Sequence, residues 1–340
     1  MQIMLNTILP FFAIINNFTM TLLFLYYIFP TVLLLALIRK YRESKWGKCN
    51  NNIQLDGKTV IITGANSGIG FEVAKELASR KASVILACRT LTKAKETCVT
   101  IQQNIKEAVL VPMELDLASL KSIKKFSDEI KKNYKEIHIL INNAGVSYPS
   151  STRLETADNF EIHFGVNYLG HFYLTNLLLD ELNISSGKSR VVVVASSLHE
   201  RGEINLDNLN NEKLTSKNLY ANSKLANIYF TQELARRTKD KNINVYACCP
   251  GWVYTGLFRY TIRWYHFFVV APVAFFFMRS SGQGAQTPIY CATEPKLENE
   301  TGLLYRDCKL YDSKAIFYDS ISTKLWVKTE EMIKDALKVK

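Results

Sequence analysis

At 340 residues and 48% hydrophobic, the chain has material for one large α/β domain plus an accessory segment, and a second full domain is not required. Its 42 basic and 31 acidic residues give a net charge of +11. No basic stripe interleaved with aromatics and no zinc-finger or RRM pattern accompanies that charge, which argues against a nucleic-acid partner. Seven scattered cysteines, with neither disulfide-framework nor metal-ligand spacing, argue against a secreted scaffold and a metal centre.

The first 38 residues carry no charge, and Thr19 to Ile38 is apolar over about 20 residues, enough to cross a bilayer as a helix. A cleaved signal peptide is the rival, but a basic n-region and a small-x-small site before Arg39 are both missing. Pro10 and Asn16-Asn17 interrupt the apolar stretch Ile3 to Ile15 and argue against a second span. Arg39, Lys40, Arg42, Lys45 and Lys48 follow the apolar segment, so the positive-inside rule places what comes next in the cytosol. Glycosylation at the sequons of Asn183 or Asn299 would instead put it in the lumen. The expected division is an anchor with a basic juxtamembrane segment over residues 1–48 and one domain over 49–340.

Beyond Asn50, short β-branched runs alternate with helical patterns. Strands are expected at Thr59–Thr63, Ser83–Ala87, Val109–Met113, Ile137–Ile141, Arg190–Ala195, Asn244–Cys248 and near Leu303–Tyr305. Helices are expected at Gly70–Arg80, Lys93–Asn104, Leu120–Asn133, Asp158–Leu182, Asn218–Lys239 and Gly284–Thr293. This is the pattern of a doubly wound, mostly parallel α/β sheet of the Rossmann type, whose ligands lie at the carboxyl ends of the strands.

Thr63-Gly64-Ala65-Asn66-Ser67-Gly68-Ile69-Gly70 joins the first strand to the first helix. Free N–H groups and the positive end of the helix dipole would there meet a pyrophosphate, and the glycines let the chain approach it. Where an NAD site usually has an acid after the second strand, this chain has Cys88-Arg89-Thr90. A guanidinium can take a 2′-phosphate, which favours NADP(H), although a solvated loop arginine reads the same way. Asp116, after the third strand, suits either the adenine amine or a helix N-cap.

Tyr220 and Lys224 stand one helical turn apart, and a nearby ammonium favours the phenolate, which makes Tyr220 a usable general acid or base. Ser196-Ser197 ends the strand before that helix, Ser197 being the expected hydroxyl toward substrate and Ser196 the structural one. Asn142-Asn143 ends the neighbouring strand. Asn167, among Phe164, Val166, Tyr168 and Leu169, suits either a water relay to Lys224 or a backbone carbonyl.

The ordered motifs from Gln54 to Lys309 resemble the short-chain dehydrogenase/reductase family, and more closely its membrane-bound retinol dehydrogenase branch. They are Thr63–Gly70, Ala87–Arg89, Asn142–Gly145, Val166–Phe172, Ser196-Ser197, Tyr220–Lys224, Pro250–Thr255 and Gly284–Thr287. The resemblance implies Tyr220 as acid/base, Lys224 as its modulator and ribose ligand, Ser197 as carbonyl-orienting hydroxyl and Asn167 as the relay amide. It implies Gly64, Ser67, Gly68, Ile69 and Gly70 at the pyrophosphate, with Arg89 marking NADP. Asn143 is implied beside the cofactor, Pro250 to Thr255 at the nicotinamide end, and Thr255 near the carboxamide.

The variable lid, about 252–282, holds Phe258, Tyr260, Trp264, Tyr265, Phe267, Phe268 and Phe275-Phe276-Phe277. So many aromatics imply a lipophilic substrate (retinoid, steroid or fatty aldehyde) or contact with membrane lipid. His266 is expected to be a packed or interfacial residue. The expectation is an NADP(H)-dependent oxidoreductase of lipophilic carbonyls, membrane-bound in the endoplasmic reticulum with its catalytic domain in the cytosol. A steroid or general lipid carbonyl reductase, or a non-catalytic cofactor-binding scaffold, are the alternatives. Two helices, Asp158–Leu182 and Asn218–Lys239, resemble those that pair subunits in soluble relatives, while the anchor limits the expected assembly to a monomer or a homodimer.

Overall fold

A computed structural model describes residues 19–149, 153–185, 187–212, 218–256 and 276–338. The lid stretch 257–275, with His266, and the apolar stretch Ile3 to Ile15 lie outside them. Contacts divide the chain into two compact units. One contains helix α1 (Thr19–Lys45) and residues 276–278; the other contains the rest of the described chain from Gly47 onward.

Helix α1 runs 27 residues, and none of its most apolar stretch is covered by protein. At 1.5 Å per residue it extends roughly 40 Å, more than the ~30 Å of a hydrocarbon core. It is long and apolar enough to cross a membrane. At its basic end Arg39 and Arg42 donate to the carbonyls of Met278 (3.3 Å) and Phe277 (3.4 Å).

The second unit is built on one eight-stranded sheet in the order β3-β2-β1-β4-β5-β6-β7-β8. Its strands are β1 (Thr59–Thr63), β2 (Ser83–Cys88), β3 (Leu110–Glu114), β4 (Ile139–Asn142), β5 (Ser189–Val194), β6 (Ile243–Cys249), β7 (Leu303–Arg306) and β8 (Lys309–Leu310). All neighbours pair in parallel except β7 with β8. The order reverses between β1 and β4, whose Ile61 and Leu140 are in register, and a doubly wound sheet opens its ligand crevice at that point.

Strand residues alternate between two cores. Ile61, Leu140, Val191 and Val245 face the helices α4 (Leu120–Asn133) and α7 (Leu219–Arg237). Val60, Ile141, Val192 and Tyr246 face α2 (Gly68–Ser79), α3 (Leu91–Gln102) and α8 (Ser281–Thr293). Helices on both faces explain why these strands read as unbroken apolar runs.

One expected helix, Asp158–Leu182, is not continuous. Asp158 lies outside it and accepts the Leu120 N–H at 2.7 Å. A π-helical stretch, Phe164–Leu169, leads into α5 (Gly170–Leu177), and Leu178, at φ −105°, ψ 10°, separates α5 from α6 (Leu179–Asn183). The carboxyl-terminal α9 (Asp319–Lys338) is an additional element; Trp326 packs edge to face on Phe172, with ring centres 4.6 Å apart.

Candidate active site

The β1 turn is shaped to receive a pyrophosphate. Gly64 and Gly68 hold φ of +66° and +59°, conformations that strain any residue with a Cβ. Ser67 is the N-cap of α2, its side chain makes no capping bond, and the first turn carries no acid, so the helix N-terminus is available to an anion. A Cβ on Gly70 would lie 2.4 Å from the Gly64 carbonyl oxygen and 2.5 Å from Asn143 Nδ2. Ile69 is half-buried in that turn, and the Thr255 methyl stands against Gly68. This cradle fits a dinucleotide.

Its walls are braced from below. Asn143 Nδ2 donates to the Thr63 carbonyl (2.8 Å), so the amide expected beside the cofactor also fastens the loop. The Thr63 hydroxyl accepts the N–H groups of Asn143 (2.9 Å) and Ala144 (3.0 Å) and donates to His171 Nε2 (2.8 Å). His171 Nδ1 donates to the Asn167 carbonyl (3.1 Å). Burial pushes this imidazole down to about 3, so it stays neutral and keeps one nitrogen as acceptor.

Arg89 is exposed just beyond β2, next to the cradle strand, and among the described residues it makes no salt bridge. Asp116 folds its Oδ1 onto the Ala118 N–H (3.0 Å). The cap of α4 is Ser119, whose hydroxyl accepts the Ser122 N–H, so capping is not the task of Asp116.

On α7, Lys224 Nζ donates to the Val194 carbonyl (2.8 Å) and lies 5.7 Å from the Tyr220 ring centre. Burial pushes this ammonium down to about 8. Tyr220 is half-buried, and burial pushes its hydroxyl up to about 12, with a bond to the Ser196 side chain opposing the shift and Cys249 adding to it. Burial outweighs the depression expected from Lys224, whose ammonium donates to the Val194 carbonyl. Tyr220 therefore carries its proton at neutral pH, ready to donate.

Ser196 Oγ accepts the Leu198 N–H (3.2 Å) and so caps the turn that follows β5. Ser196 continues β5 in extended backbone (φ −155°, ψ 151°), whereas Ser197 opens a 3-10 turn, Ser197–Arg201. Asn167 is fully buried with its amide engaged: Oδ1 accepts the Val146 N–H (2.7 Å), and Nδ2 donates to the Val146 carbonyl and to Ser223 Oγ (both 3.0 Å). Of its two expected roles, the side chain performs the backbone one.

Residues 58–266 match the short chain dehydrogenase family. The chain is a short-chain dehydrogenase. Retinol dehydrogenase 11 of Mus musculus is 44% identical to it over 276 residues, 80% of this chain and 84% of that protein. Retinol dehydrogenase 12 of Homo sapiens is 42% identical over 291 residues (84% and 86%). Retinol dehydrogenase 14 of Mus musculus is 43% identical over 296 (82% and 86%). A solved uncharacterized protein from Mycobacterium Paratuberculosis has a TM-score of 0.65 at 30% identity, covering 85% of this chain and 98% of its own. A 3-ketoacyl-(acyl-carrier-protein) reductase from Brucella melitensis, TM-score 0.58 at 20% identity over 74% and 96%, shares the fold.

Two supports of this short-chain dehydrogenase site escape a reading of motifs. Arg279 donates to the Pro250 carbonyl (3.1 Å) and pairs with Asp307 (2.7 Å). It packs so closely under Gly251 that a Cβ there would meet its guanidinium carbon at 2.8 Å. His199, fully buried, donates Nδ1–H to the Ser196 carbonyl (2.6 Å) and accepts from Ser313 at Nε2 (2.6 Å). Sequence alone shows a charged or polar residue at each position and nothing of its partner.

The two serines give a separable prediction. Ser197→Ala should lower kcat about 10²-fold, the usual loss of one donor at a developing oxyanion, while Ser196→Ala, which removes a turn cap, should stay within about threefold. Steady-state kinetics of both variants decide it, and the reverse order would move the role to Ser196.

Proposed function

We propose that this short-chain dehydrogenase is an NADP(H)-dependent, retinol dehydrogenase-like oxidoreductase that interconverts a lipophilic aldehyde or ketone with its alcohol. The observation that carries the reading is Tyr220 with Lys224 Nζ 5.7 Å from its ring centre and bonded to the end of β5, beside a dinucleotide cradle. The retinol dehydrogenases named above, at 42–44% identity over most of the chain, supply the substrate class.

Gly64, Ser67, Gly68, Ile69 and Gly70 would hold the pyrophosphate. Arg89 would take the 2′-phosphate, and Asp116, through its second oxygen, the adenine amine. Pro250 and Thr255 would border the nicotinamide, and Lys224 the ribose. The bound cofactor supplies hydride chemistry. The protein's part is to orient and protonate: Ser197 would donate a hydrogen bond to the carbonyl oxygen, and Tyr220 would transfer its proton to that oxygen as charge develops there. Lys224, positively charged below about pH 8, then stabilises the phenolate until solvent returns the proton. In the oxidative direction Tyr220 acts as base.

Helix α1 anchors the enzyme in the membrane of the endoplasmic reticulum, and the basic cluster after it keeps the domain over 49–340 in the cytosol. The lid draws its substrate from membrane lipid, and a homodimer is the proposed assembly. The test is NADPH oxidation by detergent-solubilised protein with all-trans-retinal, a steroid ketone and a fatty aldehyde, each repeated with NADH. Turnover of retinal is expected with NADPH. Arg89→Ala should raise KM for NADPH by about 10- to 100-fold, since a charge-assisted phosphate contact is lost, and leave NADH unchanged. Equal use of both cofactors by the wild type would remove Arg89 from its role, and turnover of the steroid ketone alone would move the substrate class.

A further inference from the structure

Beside Tyr220 lies a buried acid-base pair that the chemistry above does not use. Glu161 and His163 are each 2% exposed, and Glu161 Oε1 lies 2.6 Å from His163 Nδ1. The carboxylate also accepts the backbone N–H groups of His163 (3.0 Å) and Phe164 (2.8 Å), filling the N-terminus of the π-helical stretch. The other ring nitrogen, Nε2, accepts the Tyr148 N–H at 2.9 Å. A backbone N–H can only donate, so Nε2 carries no proton, and Nδ1 bears the one that Glu161 receives. Glu161 thus fixes the tautomer that Tyr148 requires.

The geometry extends to a second contact. His163 and Asn167 are one helical turn apart and hold Tyr148 and Val146, two residues apart in the segment that leaves β4. A turn rises ~5.4 Å, and two residues of near-extended chain cover ~6.6 Å, so both contacts close on one helix face only if the segment is drawn out straight. The His163 ring also stands edge-on to Tyr148 (ring centres 6.2 Å apart) and to Tyr220 (6.4 Å, planes at 83°). The same imidazole therefore touches the wall of the crevice and the acid within it.

We propose that His163, its tautomer set by Glu161, is a positioning residue that holds Val146 to Tyr148 as the substrate-facing wall of the crevice against Tyr220. It governs affinity for the carbonyl substrate and leaves proton transfer to Tyr220. The inference rests on Tyr220 being the acid/base of the proposed function.

Two measurements on His163→Leu and His163→Gln test it. Leu offers no acceptor to Tyr148, whereas the Gln amide oxygen does. Hydrogen exchange of the peptide 144–149, followed by mass spectrometry, should speed up about tenfold in the Leu variant, as the half-buried Tyr148 N–H loses its acceptor, and return most of the way in the Gln variant. KM for the carbonyl substrate should rise about tenfold in the Leu variant and recover with Gln, while kcat stays within about threefold and the NADPH dissociation constant within about twofold. Exchange equal to wild type in both variants would overturn the proposal, as would faster exchange with unchanged KM.

If the Leu variant fails to fold, Tyr148→Pro and Tyr148→Ala replace it. Both remove the ring, but only Pro removes the N–H, so Pro should raise KM further than Ala, and equal KM values would overturn the proposal. A wild type without activity on any carbonyl would sink the proposed function, and the role in substrate affinity with it; the exchange comparison would still decide whether His163 holds the wall.

Discussion

Replacing Tyr220 with Phe is expected to lower kcat for carbonyl reduction by about 10³-fold, within the range that a positioned general acid contributes. At 1.36 kcal/mol per decade this is about 4 kcal/mol of transition-state stabilisation. The substitution removes one oxygen and little else. The ring keeps its edge contact with His163, Lys224 keeps its bond to the Val194 carbonyl, and the phosphate cradle is untouched, so the NADPH dissociation constant should stay within about twofold. The pH dependence follows from the two shifted groups. Reduction needs the Tyr220 proton, and with the hydroxyl pushed up to about 12 that proton is present across the neutral range. Oxidation of the alcohol needs the phenolate, so its rate should rise with pH in the wild type and lose that rise in the variant. A Phe variant that keeps more than about a tenth of the wild-type turnover would place the proton donor elsewhere.

Much of this fold was legible because a strand covered on both faces declares itself as an apolar run. β1 lies where the sequence puts it, and β2 to β7 differ by one or two residues at their ends, where hydrogen bonding and not composition sets the limit; the two-residue β8 was not expected. The π-helical stretch could not be read, since its insertion depends on Asn167 and Glu161 finding partners in segments distant in sequence. Helix α9 is a second case. It was not expected from the sequence, and its buried side, Leu325, Trp326, Thr329 and Ile333, becomes visible only in the packing.

Within the site, residue types were legible and contacts were not. Tyr220 and Lys224 were fixed by spacing, yet the environment reversed the expected direction of the tyrosine shift. Ser196 and Ser197 are chemically identical, and nothing in their types shows that Ser196 caps the turn after β5. The buried histidines 163 and 199 lie outside the motifs and His171 inside one, and none shows its partner in the sequence: His163 and His199 hold backbone beside the site, and His171 holds the Thr63 hydroxyl and the Asn167 carbonyl.

Gly70→Ala is the second large effect. By propensity alone the change favours α2, since Gly in a helix is worse than Ala by roughly 0.5–1 kcal/mol. Space decides the other way. The new methyl would sit 2.4 Å from the Gly64 carbonyl oxygen and 2.5 Å from Asn143 Nδ2, with the Gly64 carbonyl carbon at 3.0 Å. Two of those atoms are backbone, so no rotamer relieves the contact; the loop must move, at an overpacking cost of about 1–3 kcal/mol. The stability change should therefore be small to moderate, while the cofactor loses the N–H groups that the displaced loop carried. NADPH affinity is expected to fall by about 10²-fold, equivalent to two charge-assisted hydrogen bonds. Thermal melts with and without cofactor read both terms together. At 100 times its dissociation constant a ligand stabilises the native state by about 2.7 kcal/mol, so NADPH should raise the melting temperature of the wild type clearly and that of the variant hardly at all. Gly57→Ala is the control: its φ of +72° carries the same kind of strain, but its Cβ meets nothing within 4 Å. It should lower stability by about 1–2 kcal/mol and leave the cofactor response intact. A Gly70→Ala protein with the full wild-type response would mean that the dinucleotide is not held at this turn.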